Sequence, residues 1–312
     1  MFQKLIEIGS GNMRTINPDL INDLAERRAA IFIGAGVSAG VTTVAGGKIK
    51  LWSKFLEDAA DLLDDKKLKA HAKQMIKSQD YLMACEMISR GMGVDEWKKL
   101  LISEYAQRGT PTELQKTLMG LNQRIVLTTN FDLYLEGAWN DVNQNATHHP
   151  HVVKSIGEDS FQAFRDSQNY IFKIHGSIDE IDTMIFTKKD YSDKAYGNWA
   201  YAKFIETVLL THTVLFVGFS LSDPAISQVI ENYAHNIPNA RPHYIFLSGT
   251  HTDKFVEINK ELRRIFIVPY DKRDNHVELT ELFKKITNLV DGRRRELSVE
   301  VMRSLQSTEP QA

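Results

Sequence analysis

The chain has 312 residues, 43% of them hydrophobic and 25% charged, which supports one large core and excludes a disordered protein. Its formal net charge of −2 supplies no overall basic field, so direct nucleic-acid binding is not expected. A single cysteine, Cys85, excludes an intramolecular disulfide and a multi-cysteine zinc site, and points to a reducing, cytoplasmic setting.

The first residues, with few apolar side chains before Glu7 and Gly9, are too short and broken for a signal-peptide core. No apolar run approaches the roughly 18 residues of a membrane helix; the longest, TVLLTHTVLFVGF, is interrupted by His212. Asn17 as a cap and Pro18 in the first turn open an amphipathic helix, NPDLINDLAERRA. It leads into a short apolar strand, Ala30 to Ile33, ended by glycines that turn the chain toward another helix.

From residue 51 to 120 the apolar spacing is helical, as in LWSKFLEDAADLL and VDEWKKLLISEYA, which predicts an insertion of four or five helices. Strands resume as RIVLTT, NYIFKIHG, TVLFVGFS, HYIFLSG and RIFIVPY, several of them separated by helical segments. Most are continuous apolar runs, the pattern of strands covered on both faces. The expected fold is α/β, a doubly wound, mostly parallel Rossmann-like sheet with a helical insertion. Residues 1–290 are read as one domain, and 291–312, with Arg293 to Arg295, as a solvated terminal helix with a frayed end.

Four polar segments fall at carboxyl ends of core strands, where an open parallel sheet binds ligands. In Gly34-Ala35-Gly36-Val37-Ser38-Ala39-Gly40 the first two glycines allow a sharp turn close to a bound pyrophosphate, and Ser38 adds a hydroxyl. The spacing is one residue longer than the usual dinucleotide fingerprint, and a purely structural turn also explains it. Thr128-Thr129-Asn130-Phe131-Asp132 follows the next core strand; capping by Asn130 and Asp132 is an equally good reading of it alone. His175 in Ile174-His175-Gly176-Ser177 suits a general base near neutral pH, with Gly176 leaving room for substrate, although an isolated histidine is more often structural. Val217-Gly218-Phe219-Ser220 ends a strand in a turn, and Asp223-Pro224 begins a helix. The histidines of THHPH, His148, His149 and His151, lack a nearby acidic ligand and read as a solvated loop.

The ordered set GAG-x-S, T-x-N-x-D, HG and G-x-S resembles the sirtuin NAD-binding core, and LFVGFSLSDP resembles the bacterial sirtuin-like branch of anti-phage defence more than the deacetylases. Carried over by position, the resemblance implies that Gly34, Ala35, Gly36 and Ser38 contact the NAD phosphates and ribose. It implies that Asn130 holds the nicotinamide ribose or the attacking water, that Phe131 and Asp132 with Thr129 surround the carboxamide, and that His175 is the catalytic histidine. Gly218 and Ser220 would line the adenosine side.

Two departures bear on the reaction. Sirtuin deacetylases carry a four-cysteine zinc ribbon after the HG motif, whereas Gly176 to Val217 holds no cysteine, so neither zinc nor an acyl-lysine module is expected. In place of their Gly-Ile-Pro-Asp-Phe-Arg segment this chain has AGVTTVAGGKIKLW, which leaves the role of residues 41–50 and of Trp52 open. The resemblance therefore implies an NAD hydrolase that releases nicotinamide and ADP-ribose and depletes NAD in abortive infection. It also implies restraint by homo-oligomer assembly, with the helical insertion as the oligomer surface, or by a partner such as a HerA-like ATPase or an Argonaute-like protein. The alternatives are an ADP-ribosyltransferase or deacylase, and a non-catalytic NAD or ADP-ribose sensor.

Overall fold

The structure, a computed structural model, describes residues 4–8 and 12–307. It opens on a hairpin that the sequence reading does not anticipate: β1 (Lys4–Ile8) pairs antiparallel with β2 (Asn12–Ile16). Next come α1 (Pro18–Ala25), capped by the Asn17 side chain on the Asp19 N–H, and β3 (Ala29–Ile33). The glycine turn holds only a four-residue helix, α2 (Ala35–Ser38), before β4 (Thr42–Thr43).

The insertion comprises α3 (Trp52–Asp61), α4 (Lys66–Lys77), α5 (Tyr81–Met92) and α6 (Val94–Tyr105). A two-residue strand, β5 (Gly109–Thr110), pairs back onto β4, and α7 (Glu113–Gly120) returns the chain to the sheet. Then follow β6 (Ile125–Thr128), α8 (Tyr134–Val142), β7 (His151–Val153), β8 (Tyr170–Lys173), the short α9 (Lys188–Asp190) and α10 (Trp199–Thr211). The remainder alternates as β9 (Thr213–Val217), α11 (Pro224–Asn236), β10 (His243–Ser248), α12 (Asp253–Arg263), β11 (Ile265–Tyr270) and α13 (Arg273–Ser307).

Among the described residues, seven strands form one parallel sheet in the order β11-β10-β9-β3-β6-β8-β7. Strand side chains alternate between faces, and here both faces are apolar. Ile31, Ile33, Val126, Ile171 and Leu215 pack on one side with Leu20, Leu24, Leu118, Leu135 and Phe283 from α1, α7, α8 and α13. Ala30, Phe32, Leu127, Phe172 and Phe216 pack on the other with Phe204 and Val208 of α10 and Ile226 and Ile230 of α11. Each such Val, Leu, Ile or Phe side chain, fully buried, contributes about 1.5–3 kcal/mol before entropy is counted.

A third cluster joins the insertion to the strand-end loops: Phe55, Leu56, Cys85, Ile88, Trp97 and Leu101 pack with Phe131, Ile178, Met184 and Phe186. The chain leaves β3 for β6 on one side, with α7 on one face, and returns to the other side of β3 as β9, followed by α11 on the opposite face. That reversal opens a crevice at the carboxyl ends of β3 and β9, the topological switch point.

Two local expectations are corrected. His151 lies in edge strand β7 and stacks on Tyr170, with ring centroids 5.2 Å apart, while His149 packs on Trp139, so THHPH is only partly a loop. The β-branched pair Val152-Val153 was the signal for that strand. The arginines after Gly292 are not plain surface: Arg293 Nε donates to Asn22 Oδ1 at 2.9 Å, and Arg294 donates to the carbonyls of Leu24 and Leu121 at 3.3 and 2.8 Å. Arg294 thereby satisfies carbonyls at the carboxyl ends of α1 and α7, where cations are favoured. The expected frayed end, 308–312, lies outside the described residues.

Candidate active site

The turns after β3 and β9 meet backbone to backbone. Gly34 N–H donates to the Val217 carbonyl and Gly36 N–H to the Gly218 carbonyl, both at 2.9 Å. A Cβ on Gly34 would lie 2.4 Å from Gly218 O, and one on Gly218, whose φ is +63°, would lie 2.6 Å from Val37 N. The glycines are thus required by the contact between two turns, independent of any ligand.

Asn130 follows β6 and faces this junction. Its Nδ2 donates to Gly34 O at 3.2 Å and to Ser38 Oγ at 2.9 Å, while its own N–H donates to Thr128 Oγ1 at 3.0 Å. Because Gly34 O can only accept, the amide orientation is fixed, with Nδ2 as the donor on Gly34 and Oδ1 as the amide's acceptor. Capping does not explain this residue: α8 begins at Tyr134, with Leu133 at the cap position. Asp132 does brace that helix, accepting from the Tyr134 N–H at 3.2 Å. Burial pushes its carboxyl above the ordinary carboxylate range, opposed by nearby Lys173 and by a hydrogen bond from Ser38.

Sequence reasoning passed over Lys173. This side chain is 1% exposed, with its ammonium donating to the Asp132 carbonyl and to Glu136 Oε1, the latter at 3.0 Å. The signal was available, since a lysine inside the apolar run NYIFKIHG has to be paired if it is buried.

His175, next to β8, is buried. Its Nε2 lies 3.0 Å from the Tyr201 hydroxyl and 3.4 Å from Asp223 Oδ2, and Tyr191 donates to that same carboxylate oxygen. Burial pushes the imidazole below its ordinary value and Asp223 opposes the shift, so the ring is neutral at pH 7. Gly176 does not leave room for substrate as expected: at φ +84°, a Cβ there would lie 2.4 Å from the Thr183 carbonyl carbon. The glycine admits the segment that returns over the strand end, where Ile185 N–H donates to His175 O at 2.8 Å.

These elements enclose a cavity of 770 Å³, within the roughly 300–1,000 Å³ range of small-molecule sites. Ala35, Gly36, Ser38, Thr129, Asn130, Phe131, Asp132, His175, Gly218 and Ser220 all line it. Gly34 is buried behind the wall and acts through its carbonyl on Asn130. Ser220 is exposed and shares a 2.5 Å hydrogen bond with Ser222. The insertion supplies the opposite wall, which the sequence did not reveal: Leu51 to Ser53 and Ser78 to Leu82 line the same space. Trp52 stacks on Phe186 with centroids 4.7 Å apart, and Phe186 in turn contacts Phe131 at 5.0 Å.

Residues 124–270 match the family model of the SIR2-like domain, a span that holds the Asn130, His175 and Gly218 segments. This stretch of the chain is similar to a SIR2-like domain. The glycine turn of β3 precedes the matched span and joins the SIR2-like segments through the sheet.

Among curated proteins, the chain is 27% identical to an NAD(+) hydrolase ThsA of Enterococcus faecium over 83% of its length and 55% of that protein's. It is 25% identical to an NAD(+) hydrolase ThsA of Bacillus cereus over 86% of its length and 56% of the relative's. A 24% match to Defense-associated sirtuin 2 of Bacillus subtilis covers 42% of this chain and 13% of that one. The chain therefore spans about half the length of the NAD(+) hydrolases it matches. Among the described residues, no helix is long and apolar enough to cross a membrane.

Proposed function

We propose that this chain hydrolyses NAD at the nicotinamide–ribose bond. The observation that carries the reading is the convergence of Asn130 and His175, from two different strand ends, on one cavity that the glycine turns also line. Relatives named NAD(+) hydrolase match the chain over more than four-fifths of its length, which supports the same reading.

Cleavage passes through an oxocarbenium-like state, so the protein has to fix the ribose, shield it and present water. In this account Asn130 Oδ1 holds the ribose or the water, and neutral His175 accepts the proton that water loses on attacking the anomeric carbon. Nicotinamide departs with the electrons of the broken C–N bond, leaving ADP-ribose. Ala35, Gly36 and Ser38 face the phosphates and ribose; Gly34 acts by holding Asn130. Thr129, Phe131 and Asp132 surround the carboxamide, and Gly218 and Ser220 border the adenosine side.

The defence name carried by one relative supports a wider reading: unrestrained hydrolysis would drain a cell's NAD, as a growth-arresting response to phage infection requires. Restraint would come from a homo-oligomer or from a partner such as a HerA-like ATPase or an Argonaute-like protein. Chromatography of NAD after incubation with the purified chain tests the reaction itself. Nicotinamide with free ADP-ribose supports hydrolysis, whereas ADP-ribose recovered on a protein acceptor would replace it with transfer.

A further inference from the structure

We propose that Asp223 is a positioning residue of the site, holding the Nε2 proton of His175 so that Nδ1 carries the lone pair. The inference rests on the hydrolase reading for its catalytic consequence, and on geometry alone for the histidine's state.

Asp223 lies 48 positions beyond His175 by number, at the start of α11, and its two oxygens are committed differently. Oδ1 accepts from the Ile226 N–H at 2.9 Å, capping the helix. Oδ2 accepts from the Tyr191 hydroxyl at 2.5 Å and lies 3.4 Å from His175 Nε2. That last distance is long for a charge-assisted hydrogen bond, and such contacts commonly tighten when substrate binds.

The Tyr201 hydroxyl, 3.0 Å from Nε2, can donate or accept and does not by itself fix the tautomer. An ionised carboxylate only accepts. With Asp223 beside it, Nε2 keeps its hydrogen, and Nδ1 becomes the basic atom. The side chain that ends one loop and starts one helix thereby sets the chemistry of a histidine from another strand.

Asp223→Asn tests this with little disturbance of the helix, because Asn caps as well as Asp. Since Oδ1 stays on the Ile226 N–H, the new amide nitrogen occupies the Oδ2 position and donates toward His175 Nε2. The hydrogen bond is reversed and the ring is driven to the Nδ1–H form. The histidine-labelled protein, with His175→Gln to assign the resonance, reports the tautomer by nitrogen NMR whether or not NAD is turned over.

The expected result is an Nε2–H tautomer in the wild type that reverses in Asp223→Asn. The catalytic consequence is a kcat reduced at least about 100-fold, with KM for NAD changed less than about threefold. Asp223→Ser, which keeps a cap but removes the carboxylate, lowers kcat in the same direction and covers any folding defect of the first variant. An Nδ1–H ring in the wild type, or the same tautomer in both proteins, overturns the proposal while leaving NAD hydrolysis standing. A wild type that binds NAD without cleaving it would instead overturn the hydrolase reading, and the tautomer comparison would still decide the role of Asp223.

Discussion

The side-chain amide of Asn130 donates to the backbone carbonyl of Gly34 over 3.2 Å, joining two loops 96 residues apart in sequence. Its second hydrogen bond, to Ser38 Oγ at 2.9 Å, extends the link toward Asp132. The position therefore needs a donor as well as an acceptor. Asn130→Asp would press a carboxylate against the Gly34 carbonyl and is expected to abolish NAD turnover as fully as Asn130→Ala. It should also cost about 1–3 kcal/mol in urea unfolding. An Asp variant with near wild-type turnover would show that the amide donor is dispensable.

Gly218→Ala is expected to destabilise the fold by about 3 kcal/mol. Its φ is +63° and the added Cβ would meet Val37 N at 2.6 Å. Gly46 gives the comparison: φ is +80° but nothing lies within 4 Å of the built Cβ, so Gly46→Ala should cost only the conformational term of about 1–2 kcal/mol. Equal losses in thermal melts would mean that the two turns do not meet as described.

Lys173→Met removes the cation that the buried end of Glu136 faces, leaving a charge without compensation at an expected cost of about 3–5 kcal/mol. A second change, Glu136→Leu, should recover much of that loss, because removing both charges is far less costly than removing one. NAD turnover in the double variant should remain low, since Lys173 also holds the Asp132 carbonyl. Denaturant titration of the single and double variants decides the matter: a double variant no more stable than Lys173→Met contradicts this pairing.

Two histidines outside the cavity make stability depend on pH. Burial pushes His243 down to about 3, and burial with Arg124 nearby pushes His212 to about 4. In the unfolded chain both titrate near 6.5. Between pH 6.5 and those folded values the unfolded state binds more protons, so stability is full above about 6.5 and falls as pH drops. His243 should lose on the order of 2 kcal/mol by pH 5, and partly exposed His212 less. Urea unfolding at pH 7 and pH 5 measures this; His243→Met should be weaker at pH 7, having lost the acceptor for the Val214 N–H, but less sensitive to pH. A wild type equally stable at both values would contradict the burial of these rings.

The doubly wound sheet was legible because its strands are unbroken apolar runs, and such runs have few other uses in a chain of this length. The strand-end segments were legible for the same reason, since each interrupts or follows one of those runs with Gly, Asn or His. What joins them was not. The contacts of His175 with Tyr201 and Asp223, and of Asn130 with Gly34, depend on strand order, which local sequence does not encode. The insertion was visible as helices, but its apolar faces do not say which loop they pack on. Only the fold shows Trp52 stacked on Phe186, which in turn packs on Phe131. Gly176 was read as room for a substrate and Gly34 as a turn close to a pyrophosphate, whereas Gly34, Gly176 and Gly218 are needed because other backbone segments approach them.

The most direct test of the account is to incubate the purified chain with NAD, separate the products by chromatography, and repeat the assay with His175→Ala and Asn130→Ala. The account predicts equal amounts of nicotinamide and free ADP-ribose from the wild type, and NAD left intact by both variants. NAD consumption that survives both substitutions would contradict it.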